Sequence, residues 1–290
     1  MRLLCDSSTA FLGESVARIS GVRLLARVLC SFPNGELYAC LQDSAQGEDV
    51  FVLASTPTAS DWIGLFLLLD ALVRDRPRRI ILCLAYCGYG RQDRQTEPSG
   101  CFSLARFAAL LGTFPIEKIF VIDPHNHDSL SLFPVPCFDL SSHPVFCEFI
   151  KNNTCCPDLF VAPDYGASHR TQRLAEACGR PWTTLDKRQP AESLTIALQE
   201  RVRGKHCALV DDILDSGWTL WHAASVLMRA GALRVEAFVT HGLPSTRKVP
   251  MEECVKQVVV TDTLFSSESR PCVRSVTVAP VVEDLLRELG

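Results

Sequence analysis

Short runs of apolar residues alternate along the chain with longer stretches in which apolar residues return every three or four positions. The runs at 50–54, 80–86, 119–123, 159–163, 206–211, 235–240 and 258–261 predict strands. Residues 61–72, 99–111, 167–178 and 216–230 carry helical spacing, with Gly112, Gly179 and Gly231 where helices would end. Apolar strands alternating with such helices describe βαβ units around parallel sheets. The pattern runs twice. In each half a later strand ends in polar residues, Ile122-Asp123-Pro124-His125 in the first and Val210-Asp211-Asp212 in the second. The polar stretch 141–158, with Asn152-Asn153-Thr154, is the expected hinge between the halves. The reading is an α/β protein of two similar domains, 1–141 and 142–290, each a mostly parallel sheet flanked by helices. A closing helix at 280–289 is expected, free to pack back on the first domain.

Composition narrows the functional classes. At 290 residues the chain has the length of about two domains. Lys plus Arg number 29 against 33 Asp plus Glu, so no basic excess is present to collect nucleic acid. Mean hydropathy is +0.14, yet no apolar run approaches the roughly 18–20 residues of a membrane span. Asp6 and Ser7 fall where a signal peptide needs an apolar centre. The 14 cysteines form no CxxC pair, which argues against zinc ribbons and thioredoxin-like sites. They read as small apolar residues of a reduced, cytoplasmic protein.

The most specific stretch is Ala208-Leu-Val-Asp-Asp-Ile-Leu-Asp-Ser-Gly-Trp-Thr-Leu220, where an apolar strand runs into paired carboxylates, a turn and a helix. Backbone N–H groups of 216–219, with the Ser216 and Thr219 hydroxyls, can wrap a phosphate at the helix start. Gly217 lets the backbone approach closely. Asp211 and Asp212 can accept hydrogen bonds from vicinal ribose hydroxyls at the strand edge where open α/β sheets bind ligands. Acidic residues, hydroxyls and a glycine are too concentrated here for helix capping alone.

This stretch resembles the phosphoribosyl-diphosphate-binding loop shared by type I phosphoribosyltransferases and ribose-phosphate diphosphokinases (PRPP synthetases). Further segments resemble the synthetases in order along essentially the whole chain, closest to the shorter branch of that family. Phe32-Pro-Asn-Gly-Glu36 resembles the turn that contacts adenine in a neighbouring subunit's site, which implies roles for Phe32, Asn34 and Glu36 and a homo-oligomer of at least two copies. Tyr89-Gly-Arg-Gln-Asp-Arg94 resembles an ATP-binding segment and implies Arg91, Gln92, Asp93 and Arg94 as nucleotide contacts. Guanidinium forks at Arg91 and Arg94 suit a triphosphate. By the same resemblance His125 and Asp164 are the expected Mg²⁺ ligands, and Lys187 with Arg188 the catalytic cations of a closing loop. Asp211, Asp212, Asp215, Ser216, Gly217, Trp218 and Thr219 are the expected ribose-5-phosphate site. Val239-Thr-His-Gly242, 259–263 and 276–280 match structural signatures near the family's C-terminus.

The resemblance implies the type I phosphoribosyltransferase fold in both halves. It also implies transfer of the diphosphoryl group of Mg-ATP to the 1-hydroxyl of ribose 5-phosphate, with no nucleic-acid or membrane partner. Three departures qualify it: Trp218 before the final Thr, Gln189 where a second catalytic Arg is usual, and Asn126-His-Asp-Ser after His125. Two alternatives therefore stay open, a weakened relative that regulates a true synthetase and a type I phosphoribosyltransferase.

Overall fold

The computed structural model describes residues 1–153, 156–185, 199–243, 249–264 and 272–290. Lys187, Arg188 and Gln189 lie outside these residues. The described chain divides into two compact units, the first comprising Met1–Ser141 with Val278–Gly290, the second centred on Ser142–Asp262.

In the first unit β1 (Arg2–Cys5), β2 (Arg23–Leu24), β5 (Asp49–Ser55), β6 (Arg79–Tyr86), β7 (Ile116–Ile122) and β8 (Cys137–Leu140) form one sheet in the order β2-β1-β5-β6-β7-β8. Every pairing in it is parallel. Between β2 and β5 the chain makes a separate antiparallel hairpin, β3 (Arg27–Ser31) with β4 (Leu37–Leu41). In the second unit β9 (Leu159–Ala162), β10 (Trp182–Thr184), β11 (His206–Leu214), β12 (Arg234–Gly242), β13 (Gln257–Thr261) and β14 (Val273–Val276) pair in parallel as β10-β9-β11-β12-β13-β14. With the hairpin set aside, both sheets carry the strand order 2-1-3-4-5-6, so the doubled sequence pattern is a doubled topology. The order reverses beside the first strand of each sheet, which opens the crevice where such folds bind ligands.

Central strands are buried on both faces, as parallel sheets require: every residue of β5 is buried, and β6 is buried from Ile80 to Tyr86. Their apolar runs were therefore the clearest sequence signals. Helix Ala59–Arg74 shows how the flanking layer is specified. Thr58 Oγ1 accepts from the Asp61 N–H and Asp61 Oδ2 accepts from the Thr58 N–H, closing both ends of a capping box. From that start Trp62, Leu65, Leu69 and Leu72 fall on one buried stripe.

The structure corrects several boundaries. Most of the expected hinge is the helix His143–Asn152 of the second unit, burying Val145, Phe146, Cys147 and Ile150. Its short apolar run is flanked by Ser141-Ser142-His143 and Lys151-Asn152-Asn153-Thr154, so the whole stretch reads as polar. The helix that follows Gly100 begins at Ser103, four residues later than expected. It ends on Gly112 with ordinary right-handed φ of −66°, whereas Gly179 and Gly231 take the left-handed φ of +64° and +93°. The strand carrying the paired carboxylates continues to Leu214, because β12 pairs with it as far as Gly242. Strands β1, β2, β8, β10 and β14 and helix Ala10–Ser20 had no clear periodic signal, being two to four residues long or mixed in polarity. The C-terminal helix Ala279–Leu289 packs against Ala10–Ser20 in the first unit. No helix among the described residues is long and apolar enough to cross a membrane.

Candidate active site

In the first unit the polar loops at the carboxyl ends of β6 and β7 come together. The chain leaves β6 through Cys87 and Gly88, whose N–H donates to Thr56 Oγ1 at 3.0 Å. A side chain at Gly88 would run into the Thr56 carbonyl, so the turn requires glycine there. Tyr89 takes the left-handed φ of +62°, a conformation a bulky residue adopts only under constraint. The constraint is packing: its ring lies 4.7 Å from Phe107, which stacks on buried Trp62 at 4.6 Å. This anchor delivers Arg91 and Arg94 to the surface, both exposed.

The residues between the arginines hold the loop in place. Gln92 Oε1 accepts from Ser103 Oγ at 2.6 Å, and the Gln92 carbonyl accepts from the Leu104 N–H at 3.3 Å, so Gln92 ties the loop to the start of the next helix. Asp93 Oδ2 accepts from Asn126 Nδ2 at 2.7 Å, joining the loop to the residue after His125. A methyl group at Gly90 would lie 3.6 Å from the His125 Cβ. The structure thus brings Arg91, Asp93 and Arg94 into one neighbourhood with exposed His125.

Phe32, Asn34 and Glu36 sit at the tip of the β3–β4 hairpin. Its turn closes internally, Phe32 N–H to Glu36 O at 2.8 Å and Glu36 N–H to Asn34 Oδ1 at 3.2 Å. Phe32 packs loosely on Tyr38 at 6.4 Å and stays 49% exposed, available to another surface.

In the second unit the candidate residues gather at the order reversal between β9 and β11. Asp164 follows β9 and accepts from the Ala167 N–H at 3.3 Å, opening the turn into helix Ser168–Ala177. On β11, the Asp211 and Asp212 carboxyls lie within hydrogen-bonding reach of each other. Asp212 is buried and paired with Arg170 Nη1 at 2.6 Å. Asp211 Oδ1 accepts the Asp212 N–H at 3.0 Å. Burial first and the Asp212 charge second push the Asp211 carboxyl well above the usual carboxylate range, with Arg170 opposing. Sequence reasoning missed Arg170. The signal was available: two adjacent carboxylates inside an apolar strand need a cation, and Arg170 stands six residues after Asp164.

Beyond β11, Gly217 takes φ +88° and the Met251 side chain fills the space a Cβ would need. It N-caps helix Trp218–Arg229 with no side-chain cap, leaving first-turn N–H groups for an anion. Ser216 Oγ accepts from the Trp218 N–H at 3.3 Å, which curls the loop around that end. The Trp218 ring lies on Trp221 at 5.1 Å and on His222 at 6.5 Å, along the outside of the helix.

A divalent cation held with nucleotide phosphates needs few protein ligands and prefers oxygen. Asp164 is half-buried and offers a carboxylate, the right donor chemistry for Mg²⁺; His125 is exposed and offers imidazole nitrogen. Among the described residues no three His, Cys, Asp or Glu side chains converge in a metal-binding group.

Residues 1–114 match the model described as the N-terminal domain of ribose phosphate pyrophosphokinase, and residues 149–268 match the phosphoribosyl transferase domain. The ribose-phosphate pyrophosphokinase of Brucella melitensis is 32% identical over 296 residues, covering 99% of this chain and 96% of its own length. That of Hyphomonas neptunium is 32% identical over 301 residues, covering 100% and 96%. Among solved structures, phosphoribosylpyrophosphate synthetase from Mycobacterium smegmatis superposes with a TM-score of 0.87 at 26% identity, covering 99% of this chain and 98% of that one.

Proposed function

Because the chain belongs to the ribose-phosphate pyrophosphokinase family, we propose that it transfers the diphosphoryl group of ATP to the 1-hydroxyl of ribose 5-phosphate, releasing PRPP and AMP. The observation that carries this reading is the similarity of the whole chain, both halves together, to such enzymes. A phosphoribosyltransferase accounts for residues 149–268 and leaves the first unit, with its Arg91–Arg94 loop, without a purpose.

Phosphoryl transfer is mostly positioning and charge stabilisation. Residues Ser216 to Thr219 hold the 5-phosphate on the uncapped helix start, Gly217 giving the close approach. Asp211 and Asp212, the latter held by Arg170, serve the 2- and 3-hydroxyls of the ribose, and Asp215 the loop's geometry or the ribose side. Arg91 and Arg94 bind the triphosphate, with Gln92 and Asp93 holding the loop that carries them. Mg²⁺, when bound with the nucleotide, neutralises the charge that develops on the transferring group. Asp164 and His125 are the residues that would hold it. Lys187 and Arg188 supply the catalytic cations, and Phe32, Asn34 and Glu36 serve the adenine of a neighbouring copy in a homo-oligomer.

Purified protein given Mg-ATP and ribose 5-phosphate should release AMP, and Lys187→Ala should lower kcat at least about 100-fold, the scale of losing one charge-stabilising donor. The regulatory reading is motivated by Trp218 and Gln189. It stands instead if the wild type releases no AMP yet changes the rate of an added synthetase. Consumption of PRPP with a nucleobase supports the transferase.

A further inference from the structure

The cysteines are where the molecule departs from the reading of small buried spacers. All described cysteines are free thiols. Cys83 on β6 and Cys207 on β11 do fill the core, and burial pushes the Cys83 thiol far up and the Cys207 thiol to about 11. Two others face each other on separate helices. Cys147, on helix His143–Asn152, and Cys178, which caps the C-terminal end of helix Ser168–Ala177, hold their sulfur atoms 3.8 Å apart. Both belong to one apolar cluster around Phe160 and Phe238. They are 31 residues apart in sequence.

We propose that Cys147 and Cys178 form a reversible oxidation site, closing to an intramolecular disulfide when a hydroperoxide is present. The sulfurs must approach by about 1.8 Å to reach disulfide bonding distance, on side chains already aimed at each other. The electrostatics separate their roles. The hydrogen bond shared by the two thiols, in which either sulfur can donate, lowers Cys147 to about 7 against its burial and with help from Lys151, while the same pairing raises Cys178. The proposal assigns Cys147 as the attacking thiolate and Cys178 as its proton donor.

The Cys147 thiolate attacks one peroxide oxygen, the O–O bond breaks, and Cys147 becomes a sulfenic acid. The departing hydroxide takes the Cys178 proton and leaves as water. The Cys178 thiolate then attacks the Cys147 sulfur; the S–S bond forms, the S–O bond breaks, and hydroxide leaves to take a proton from solvent. Two thiols give up two electrons and two protons, and one hydrogen peroxide becomes two waters.

Cys156 lies near enough for its charge to act on Cys178 and is the competing partner the experiment must separate. The reduced full-length chain is treated with one equivalent of hydrogen peroxide, alkylated, digested without reductant and mapped by mass spectrometry. The expected result is a Cys147–Cys178 cross-linked peptide, two hydrogens lighter than its parts and reopened by dithiothreitol, with two fewer free thiols per chain. Formation should run about tenfold faster at pH 8 than at pH 6, following the Cys147 thiolate. Cys147→Ser and Cys178→Ser should each abolish the cross-link, and exposed Cys30→Ser should keep it. The wild-type peptide map stands whether or not a variant folds. Cys147 and Cys178 both remaining alkylatable, a Cys156–Cys178 link, or Cys147 passing straight to sulfinic acid would each overturn the proposal.

Discussion

Two single residues show how local physics reaches the site. At Gly217 any side chain is refused twice, by φ +88° and by the Met251 side chain. Gly217→Ala should cost roughly 1–3 kcal/mol of stability, the range for a residue forced into a sparsely populated conformation, with weaker ribose 5-phosphate binding. Urea unfolding and titration calorimetry read the two effects separately. Asp6 follows β1, where its carboxylate accepts from the Thr9 N–H at 2.8 Å, Thr9 Oγ1 at 2.7 Å and the Ser55 N–H at 3.0 Å. Burial outweighs these bonds and raises it to about 6. A carboxyl raised on folding favours the native state when protonated, so its stabilisation is complete below its unfolded value and is lost as pH rises through about 6. Wild-type stability should therefore fall relative to Asp6→Asn between about pH 4 and 6, by up to about 3 kcal/mol at 1.36 kcal/mol per pH unit. Parallel pH–stability curves for the two proteins would remove the argument.

Among elements, the helix Ser168–Ala177 is fixed to β11 by the Arg170–Asp212 pair, with side chains 17% and 6% exposed. Removing one partner of a buried pair strands the other's charge. Arg170→Met is thus expected to cost about 3–5 kcal/mol in chemical denaturation, and adding Asp212→Leu should restore much of it. On the exposed side of the first unit, Thr58→Ala removes one half of the capping box and should cost about 1 kcal/mol. A similar cost for Ser15→Ala, whose hydroxyl in helix Ala10–Ser20 donates to the Phe11 carbonyl, would show that capping is not the cause.

Across the whole molecule the two units divide the labour proposed for the site, the Arg91–Arg94 loop in one and the Gly217 turn in the other. Ligand protection should divide likewise. Ribose 5-phosphate at 100 times its Kd should stabilise by about 2.7 kcal/mol. That gain should survive Arg91→Ala with Arg94→Ala and vanish in Gly217→Ala, and ATP should show the opposite pattern in thermal shift. Loss of both ligands' effect in either variant would mean that the units do not bind separately.

The order of apolar runs by itself determined the doubled parallel α/β architecture, because strands buried on both faces have no polar alternation to blur them. The chemistry-bearing loops were legible for a related reason: carboxylates, arginines and glycine crowd the strand ends, where a helix start or a ligand must be served. Short edge strands such as β2, β8 and β10 were not legible, since two to four residues carry no period. The helix within 141–158 was hidden by the polar residues that flank its short apolar run. Only the tertiary structure decided that Arg170 neutralises Asp212, that Asn126 holds Asp93, that the Trp218 ring turns outward, and that Cys147 meets Cys178. Each is a contact between residues distant in sequence or a choice of side-chain direction, and both are set by packing around neighbours that no local pattern encodes.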